Sequence, residues 1–348
     1  MFNLVQIFRM ESERIKYRTI LCIATIAAAV LLPSFSPVGY SKSDLIPDSN
    51  SINVFLQENY EPEFNLKADS VTIPMKRSGR LFLIEATVDG ETGNLVFDTG
   101  ANGLVLNSTY FRSYIKSGRA SSNGITGAVG STDQISVAKL EFAGLVYKKL
   151  NADLANLGHI ENRRNDKILG LIGFGMLRNL EIVIDPINNE LKLFRIDKAG
   201  NRLNARGSGF KPDYAQKIEG NSNILFLKGT ISGKVLNFCF DTGAETNVIC
   251  SDCNKKIMST LTITRRASLK GAGSAGAEVL FGRMNEFLIG NQQIPNMETI
   301  ITNLDALSES YGTHIDGMLG NSFMKQGIVC VNFVNKQFGI RFTKGEEK

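Results

Sequence analysis

Tryptophan is absent from the 348 residues, and histidine occurs only at His159 and His314. Two imidazoles cannot build a multi-histidine metal centre and leave little room for a Ser-His-Asp hydrolase. No metal or other cofactor is therefore expected, and His314 reads as a loop or edge side chain. Cysteine is scarce: Cys22, Cys239, Cys250, Cys253 and Cys330. Cys250 and Cys253 have C-x-x-C spacing without a second pair, which argues against zinc. Two separate thiols and a local disulfide both remain open for them. Cys239 and Cys330 fall in apolar runs, where cysteine behaves as a small hydrophobe. The net charge of +5 comes without a basic stripe interleaved with aromatics, so nucleic acid is not an expected partner. The apolar run Thr19–Leu32 falls short of the roughly 20 residues a spanning helix wants.

That run follows Arg9, Arg14, Lys16 and Arg18 and is closed by Pro33, with the small residues Gly39 and Ser41 beyond it. This is the layout of a signal peptide. Residues 1–41 are read as a signal peptide or an uncleaved N-terminal membrane anchor, with residues 19–32 as the tether in the second case. Either way the body of the chain is expected to be exported, periplasmic or at the cell surface. Residues 42–70 are polar and carry Pro47 and Pro62, as a spacer, a propeptide or an extra edge strand would.

What the chain has in quantity is glycine, at 33 residues, set among frequent Val, Ile and Phe. This composition suits a β-rich fold with many turns. One stretch occurs twice. Leu95-Val96-Phe97 runs into Asp98-Thr99-Gly100-Ala101, and Phe238-Cys239-Phe240 runs into Asp241-Thr242-Gly243-Ala244; a second apolar run follows each. A carboxylate between two apolar runs is costly unless it is paired or working.

The surroundings repeat as well. Leu81–Val88 leads to Asp89-Gly90, and Ile224–Ile231 leads to Ser232-Gly233; both pairs signal hairpins. The spacing from Gly90 to Asp98 equals that from Gly233 to Asp241. Asn107–Ser117 places Tyr110, Phe111, Tyr114 and Ile115 on one helical face, and a second helical stretch is expected near Asp252 to Met258. Glycine-bearing segments follow, Gly127-Ala128-Val129-Gly130 and Gly271-Ala272-Gly273. Each half closes on an apolar-apolar-glycine triplet, Leu171-Ile172-Gly173 and Met318-Leu319-Gly320, and then a hairpin. The order of matched features indicates an internal duplication of about 140 residues per copy. We assign residues 71–198 and 213–348 to two lobes and residues 199–212 to a linker.

Amide hydrolysis by water needs a base to take the proton of water and an acid to protonate the leaving nitrogen. Two carboxylates brought within about 3 Å cannot both ionise and so supply both roles. Thr99 and Thr242 can lock the two turns through their hydroxyls. Gly100 and Gly243 allow close approach of the opposing backbones, and Ala101 and Ala244 keep the next position small.

With these turns and closures, residues 75–345 resemble the aspartic proteases of the retropepsin and pepsin kind. The resemblance is strongest to bacterial aspartyl proteases that carry two retropepsin-like copies in one exported chain. It implies a mainly β, bilobal fold of two duplicated barrel-like lobes with a few short helices and a six-stranded sheet at the lobe interface. It implies catalysis by Asp98 and Asp241 and a cleft for an extended peptide or protein substrate. It also implies flap hairpins at Gly127, Ala128, Gly130 and at Gly271, Ala272, Gly273, and packing of Ile172, Gly173, Leu319 and Gly320 against the Asp turns. An intramolecular dyad makes a monomer the expected state, and a proton-sharing dyad leads to the expectation of a low pH optimum. An appended peptide-binding module, frequent in such proteins, is not expected after Lys348.

The match has departures. No flap tyrosine of the pepsin kind is visible, and neither closing glycine is followed by the arginine frequent in retropepsins. Where retropepsins usually place an acid after the Asp turn, the first copy has Asn102 and the second Glu245. Glu245 reads as a solvated or hydrogen-bonded turn residue without a catalytic role. A catalytically silent, exported peptide-binding protein using the same cleft is the alternative.

Overall fold

The computed structural model describes residues 32–34, 60–64, 68–124, 127–204, 209–219, 224–270 and 276–343. The leader or anchor expected over residues 1–41, apart from Leu32–Ser34, and the spacer up to residue 59 lie outside these residues. Among the described residues no helix is long and apolar enough to cross a membrane.

The first half folds around the strand Leu81–Val88, whose side chains are almost continuously buried. Asp89 and Gly90 turn it with φ of 48° and 91°. Positive φ at both central residues gives the turn a twist that matches the paired strands, and glycine adopts it without cost. The chain returns as Glu91–Phe97. Ser232 and Gly233 repeat the device with φ of 49° and 73° between Phe226–Ile231 and Lys234–Phe240. Both returning strands end on a buried phenylalanine directly before the Asp turn.

Each Asp turn is followed by a short buried strand, Leu104–Asn107 or Asn247–Cys250. The closing strand of each half then inserts between the two strands flanking the turn. Ile168–Ile172 runs parallel to Glu91–Phe97 and antiparallel to Leu104–Asn107. Gly317–Leu319 does the same with Lys234–Phe240 and Asn247–Cys250. The insertion leaves no room for a side chain at the closing glycine. A Cβ on Gly173 would lie 2.1 Å from the carbonyl oxygen of Ala101, and one on Gly320 would lie 2.4 Å from that of Ala244.

A six-stranded sheet ties the lobes together. It takes Ser70–Pro74, Leu180–Asp185 and Glu190–Arg195 from the first half and Tyr214–Lys217, Gly327–Asn332 and Gln337–Phe342 from the second. Its central seam pairs Ile182 with Val331 and Ile184 with Val329. Buried aromatic rings continue the core across that seam. Phe174 packs edge-on against Phe97 and Phe333 and stacks on Phe240, which meets Phe323 and Phe338. Such ring contacts are each worth about 0.5–1.5 kcal/mol beyond their buried area. One apolar cluster therefore extends through both lobes beneath the Asp turns.

Helices are few and short, and two expectations need correction. Asn107–Ser117 is not one amphipathic helix. Asn107 caps a single turn, Ser108–Phe111, and Lys116 already begins a strand. Phe111 is buried, but Ile115 is 88% exposed, because the chain leaves helical geometry before Ile115 can join that face. The second helix starts later than expected, at Lys255, with Asn254 as its N-cap, and runs to Thr260. Glu63–Phe64 pairs with Leu145–Val146, so part of the polar segment before the first lobe is an edge strand.

The geometry at Gly173 predicts that Gly173→Ala shifts the urea midpoint downward by the equivalent of about 1–3 kcal/mol or more, since its obstacle is backbone. Gly209→Ala, which meets nothing within 4 Å, is expected to stay within about 0.5 kcal/mol of wild type.

Candidate active site

The two Asp turns meet face to face at the lobe interface through a crossed pair of threonines. The Thr99 N–H donates to Thr242 Oγ1 at 3.0 Å, and the Thr242 N–H donates to Thr99 Oγ1 at 2.9 Å. Each hydroxyl then donates to the opposite lobe, Thr99 Oγ1 to the Phe240 carbonyl at 2.9 Å and Thr242 Oγ1 to the Phe97 carbonyl at 2.6 Å. Both threonines are fully buried, so all donors and acceptors of this network are satisfied without water. Loss of one hydroxyl would strand buried groups in both lobes.

This lock brings the two carboxyl groups together. Asp98 and Asp241 are both 0% exposed. Each lies over the glycine of the other turn: a Cβ on Gly100 would fall 2.7 Å from Asp241 Cγ, and one on Gly243 would fall 2.6 Å from Asp98 Cγ. Glycine is needed here for close approach. Asp98 Oδ1 accepts from the Gly100 and Ala101 N–H groups at 2.9 and 3.2 Å. Asp241 Oδ1 accepts from the Gly243 N–H at 2.8 Å and from the Gly100 N–H at 3.2 Å. The two Oδ2 atoms are enclosed and accept no bond from the surrounding N–H groups, which leaves a proton shared between the carboxyl groups as their link.

Electrostatics separate the pair. Burial raises both carboxyl pKa values. The charge of Asp241 and a hydrogen bond to it push Asp98 further up, well above the ordinary carboxylate range. Asp241 rises only to about 6, because the Asp98 hydrogen bond and the N–H groups of Gly243, Gly100 and Ala244 favour its charged form. The pair thus shares a proton that Asp98 holds the more tightly, and Asp241 is the first of the two to ionise. One group is poised as acid and the other as base, on adjacent side chains.

The closures lie against the turns. The Asp98 N–H donates to the Ile172 carbonyl at 3.0 Å and the Asp241 N–H to the Leu319 carbonyl at 2.9 Å. The Gly320 N–H donates to Asn247 Oδ1 at 2.8 Å. Gly127, Ala128 and Gly130 lie on Gly127–Phe142, the returning strand of a long hairpin that begins at Lys116–Gly124. Gly271, Ala272 and Gly273 lie outside the described residues; Leu261–Lys270 before them and Gly276–Met284 after them are paired antiparallel strands.

Of the two readings of Glu245, solvated or hydrogen-bonded, the structure shows the hydrogen-bonded one. It is buried and forms an ion pair with Arg164 of the first lobe; their side chains are 7% and 9% exposed. Arg80, also of the first lobe, donates to the Glu245 carbonyl at 3.1 Å and pairs with Glu298 at 2.6 Å. The opposite strap is Tyr311, whose hydroxyl donates to the Gly100 carbonyl at 3.3 Å. Sequence reasoning missed Arg164 and Tyr311. They stand nine positions before Gly173 and Gly320, so extending the repeat toward each closure would have paired them. Cys239, Cys250, Cys253 and Cys330 are free thiols, and His314 is an exposed loop residue facing Asp316.

A family model described as "Aspartyl protease" matches residues 84–175 and 227–323, more than half of the chain. Among solved structures the chain is similar to the aspartic proteinase from Irpex lacteus, with 16% identity and a TM-score of 0.49 over 79% of this chain and 98% of that one. No curated protein matches the chain in sequence. The architecture is mainly β, with two like lobes joined by one six-stranded sheet.

The buried dyad carries a consequence for stability. A carboxyl whose folded pKa exceeds its unfolded value favours the fold at pH below the unfolded value, and that contribution is lost as pH rises through the folded one. For Asp241 the loss begins near its ordinary 3.8 and extends through about 6. Asp98→Asn removes the group with the larger rise. It is expected to be more stable than wild type at pH 7, on the order of 1–3 kcal/mol, and not at pH near 3. Urea midpoints at the two pH values check this.

Proposed function

The chain belongs to the aspartyl protease family, and from that premise we propose that it is an aspartic-type endopeptidase. It hydrolyses peptide bonds in extended peptides with a water molecule activated between Asp98 and Asp241. The observation that carries this reading is the enclosed pair itself. Two carboxyl groups that share Gly100 as a hydrogen-bond donor, one protonated and one ionised, have no structural use that a neutral pair would not serve better.

In the proposed reaction Asp241 takes a proton from water as it attacks the scissile carbonyl, and Asp98 donates its proton to the carbonyl oxygen. The C–N bond then breaks as Asp241 passes the proton it took from water to the leaving nitrogen, while ionised Asp98 takes a proton from one hydroxyl of the gem-diol, which restores the starting pair. Thr99 and Thr242 keep both acids within reach throughout, which is the rigidity such a pair requires. An extended substrate gains affinity by pairing its main chain with cleft and hairpin strands, and selectivity from side-chain pockets.

Peptide-library cleavage by wild type, Asp98→Asn and Asp241→Asn tests the assignment. Each substitution is expected to lower kcat by a factor of about 10²–10⁴, the usual worth of a positioned acid or base. Cleavage that persists unchanged in both variants would rule the dyad out. Tight binding of a transition-state-mimicking peptide, with no member of the library cleaved, would favour the silent binding protein instead.

The pH profile gives a second expectation. Activity requires ionised Asp241 and protonated Asp98, so kcat/KM should rise with pH through about 6 and fall at higher pH as Asp98 ionises. The low optimum expected from the dyad alone is thereby moved toward neutrality. Rates measured from pH 3 to pH 9 on one peptide would show it, and a maximum below pH 4 would contradict it.

A further inference from the structure

The dyad is closed from solvent, yet its reaction needs both water and a peptide. Tyr311 is placed to account for this. It ends the helix Asp305–Tyr311 of the second lobe, which lies against the first lobe's hairpin strand Lys116–Gly124. Its ring is half-buried and packs edge-on against Phe226, with centroids 5.9 Å apart. Its hydroxyl is enclosed, 3.9 Å from Cys239 Sγ, and donates to the Gly100 carbonyl. Burial and the nearby Cys239, Asp241 and Asp98 all push the phenol pKa up, so the side chain is neutral and next to both carboxyl groups. Tyr311 thus reaches from the surface to the dyad.

Its repeat counterpart is held differently. Arg164 forms a buried ion pair with Glu245 and also donates to the Ser78 and Ile160 carbonyls. Breaking such a pair leaves an uncompensated buried charge. Tyr311 is held across the lobes by one neutral hydrogen bond at 3.3 Å. Its helix stops at Gly312 in the left-handed conformation, φ 63°. Of the two straps, the one over the dyad is the weaker.

We propose that Tyr311 is a displaceable gate and positioning residue. In the closed state its hydroxyl occupies the Gly100 carbonyl and its ring bars the way to Asp98 and Asp241. A peptide main-chain N–H takes the hydroxyl's place on that carbonyl, and the ring swings aside to flank the scissile bond. The peptide in this statement rests on the hydrolase reading above; the gate over the carboxyl groups does not.

The test separates the two. Wild type, Tyr311→Phe and Tyr311→Ala are treated with a nitrophenyl glycidyl ether. A carboxylate oxygen attacks an epoxide carbon, the ring C–O bond breaks, and the proton of the neighbouring carboxyl goes to the resulting alkoxide. Mass mapping then scores the ester on Asp98 or Asp241. Removing one neutral hydrogen bond should speed labelling about fivefold in Tyr311→Phe, and removing the ring should speed it by at least about tenfold in Tyr311→Ala. Peptide cleavage by Tyr311→Phe should show a lower KM, with kcat changed less.

Equal labelling rates in the three proteins would overturn the gate, as would faster labelling spread over surface acids, which marks general loosening. Should Tyr311→Ala fail to fold, Tyr311→Phe alone decides. Faster dyad labelling in variants that, like wild type, cleave no peptide would uphold the gate and remove the hydrolase.

Discussion

Two carboxyl groups cannot share a dry site while both are charged. At the contact distances between the Asp98 and Asp241 turns, the mutual repulsion and the lost hydration exceed what the surrounding N–H groups return. One of the two must keep its proton, and the structure around them decides which. Asp241 receives N–H donors from both turns, Gly243 and Gly100, whereas the N–H groups bonded to Asp98 come from its own turn. This asymmetry makes an acid and a base out of two chemically identical side chains. It holds only while the crossed Thr99–Thr242 bonds keep the turns in register.

The scaffold beneath serves that register. Gly173 and Gly320 let the closing strands press against the turns, and the six-stranded sheet with the ring cluster around Phe174 and Phe240 makes one core of two lobes. A core shared this way resists the hinge motion that would separate the carboxyl groups. Above the dyad, the hairpin strand Lys116–Gly124 of the first lobe meets the helix Asp305–Tyr311 of the second.

Duplication gave both lobes the same turn, and divergence then gave them unlike straps. At equivalent positions before the two closures stand Arg164 and Tyr311, and each reaches across to the other lobe's turn. The arginine makes a charged, buried tie to Glu245, the residue after the second Asp turn, where the first turn has Asn102. The tyrosine makes a breakable tie beside the reacting groups. A pair of identical straps would leave the cleft either fixed shut or poorly anchored.

Much of this was legible in the residue order, because it rests on local rules. Asp89-Gly90 and Ser232-Gly233 specify hairpins by the φ values glycine tolerates, the apolar runs before Asp98 and Asp241 specify buried strands, and the repeat specifies that the halves fold alike. Helix lengths after the Asp turns were not legible. Periodicity over Asn107–Ser117 cannot register that strand pairing claims the chain from Lys116 onward. Nor could the sequence assign Glu245 to Arg164 or Tyr311 to Gly100, since contacts between lobes follow from how two finished surfaces meet. By itself the sequence determined two copies of one fold, each offering an acid at a glycine turn. Tertiary structure alone decided which acid holds the proton and what lies over it, because desolvation and hydrogen-bond number are properties of an enclosed space, not of a neighbour in the chain.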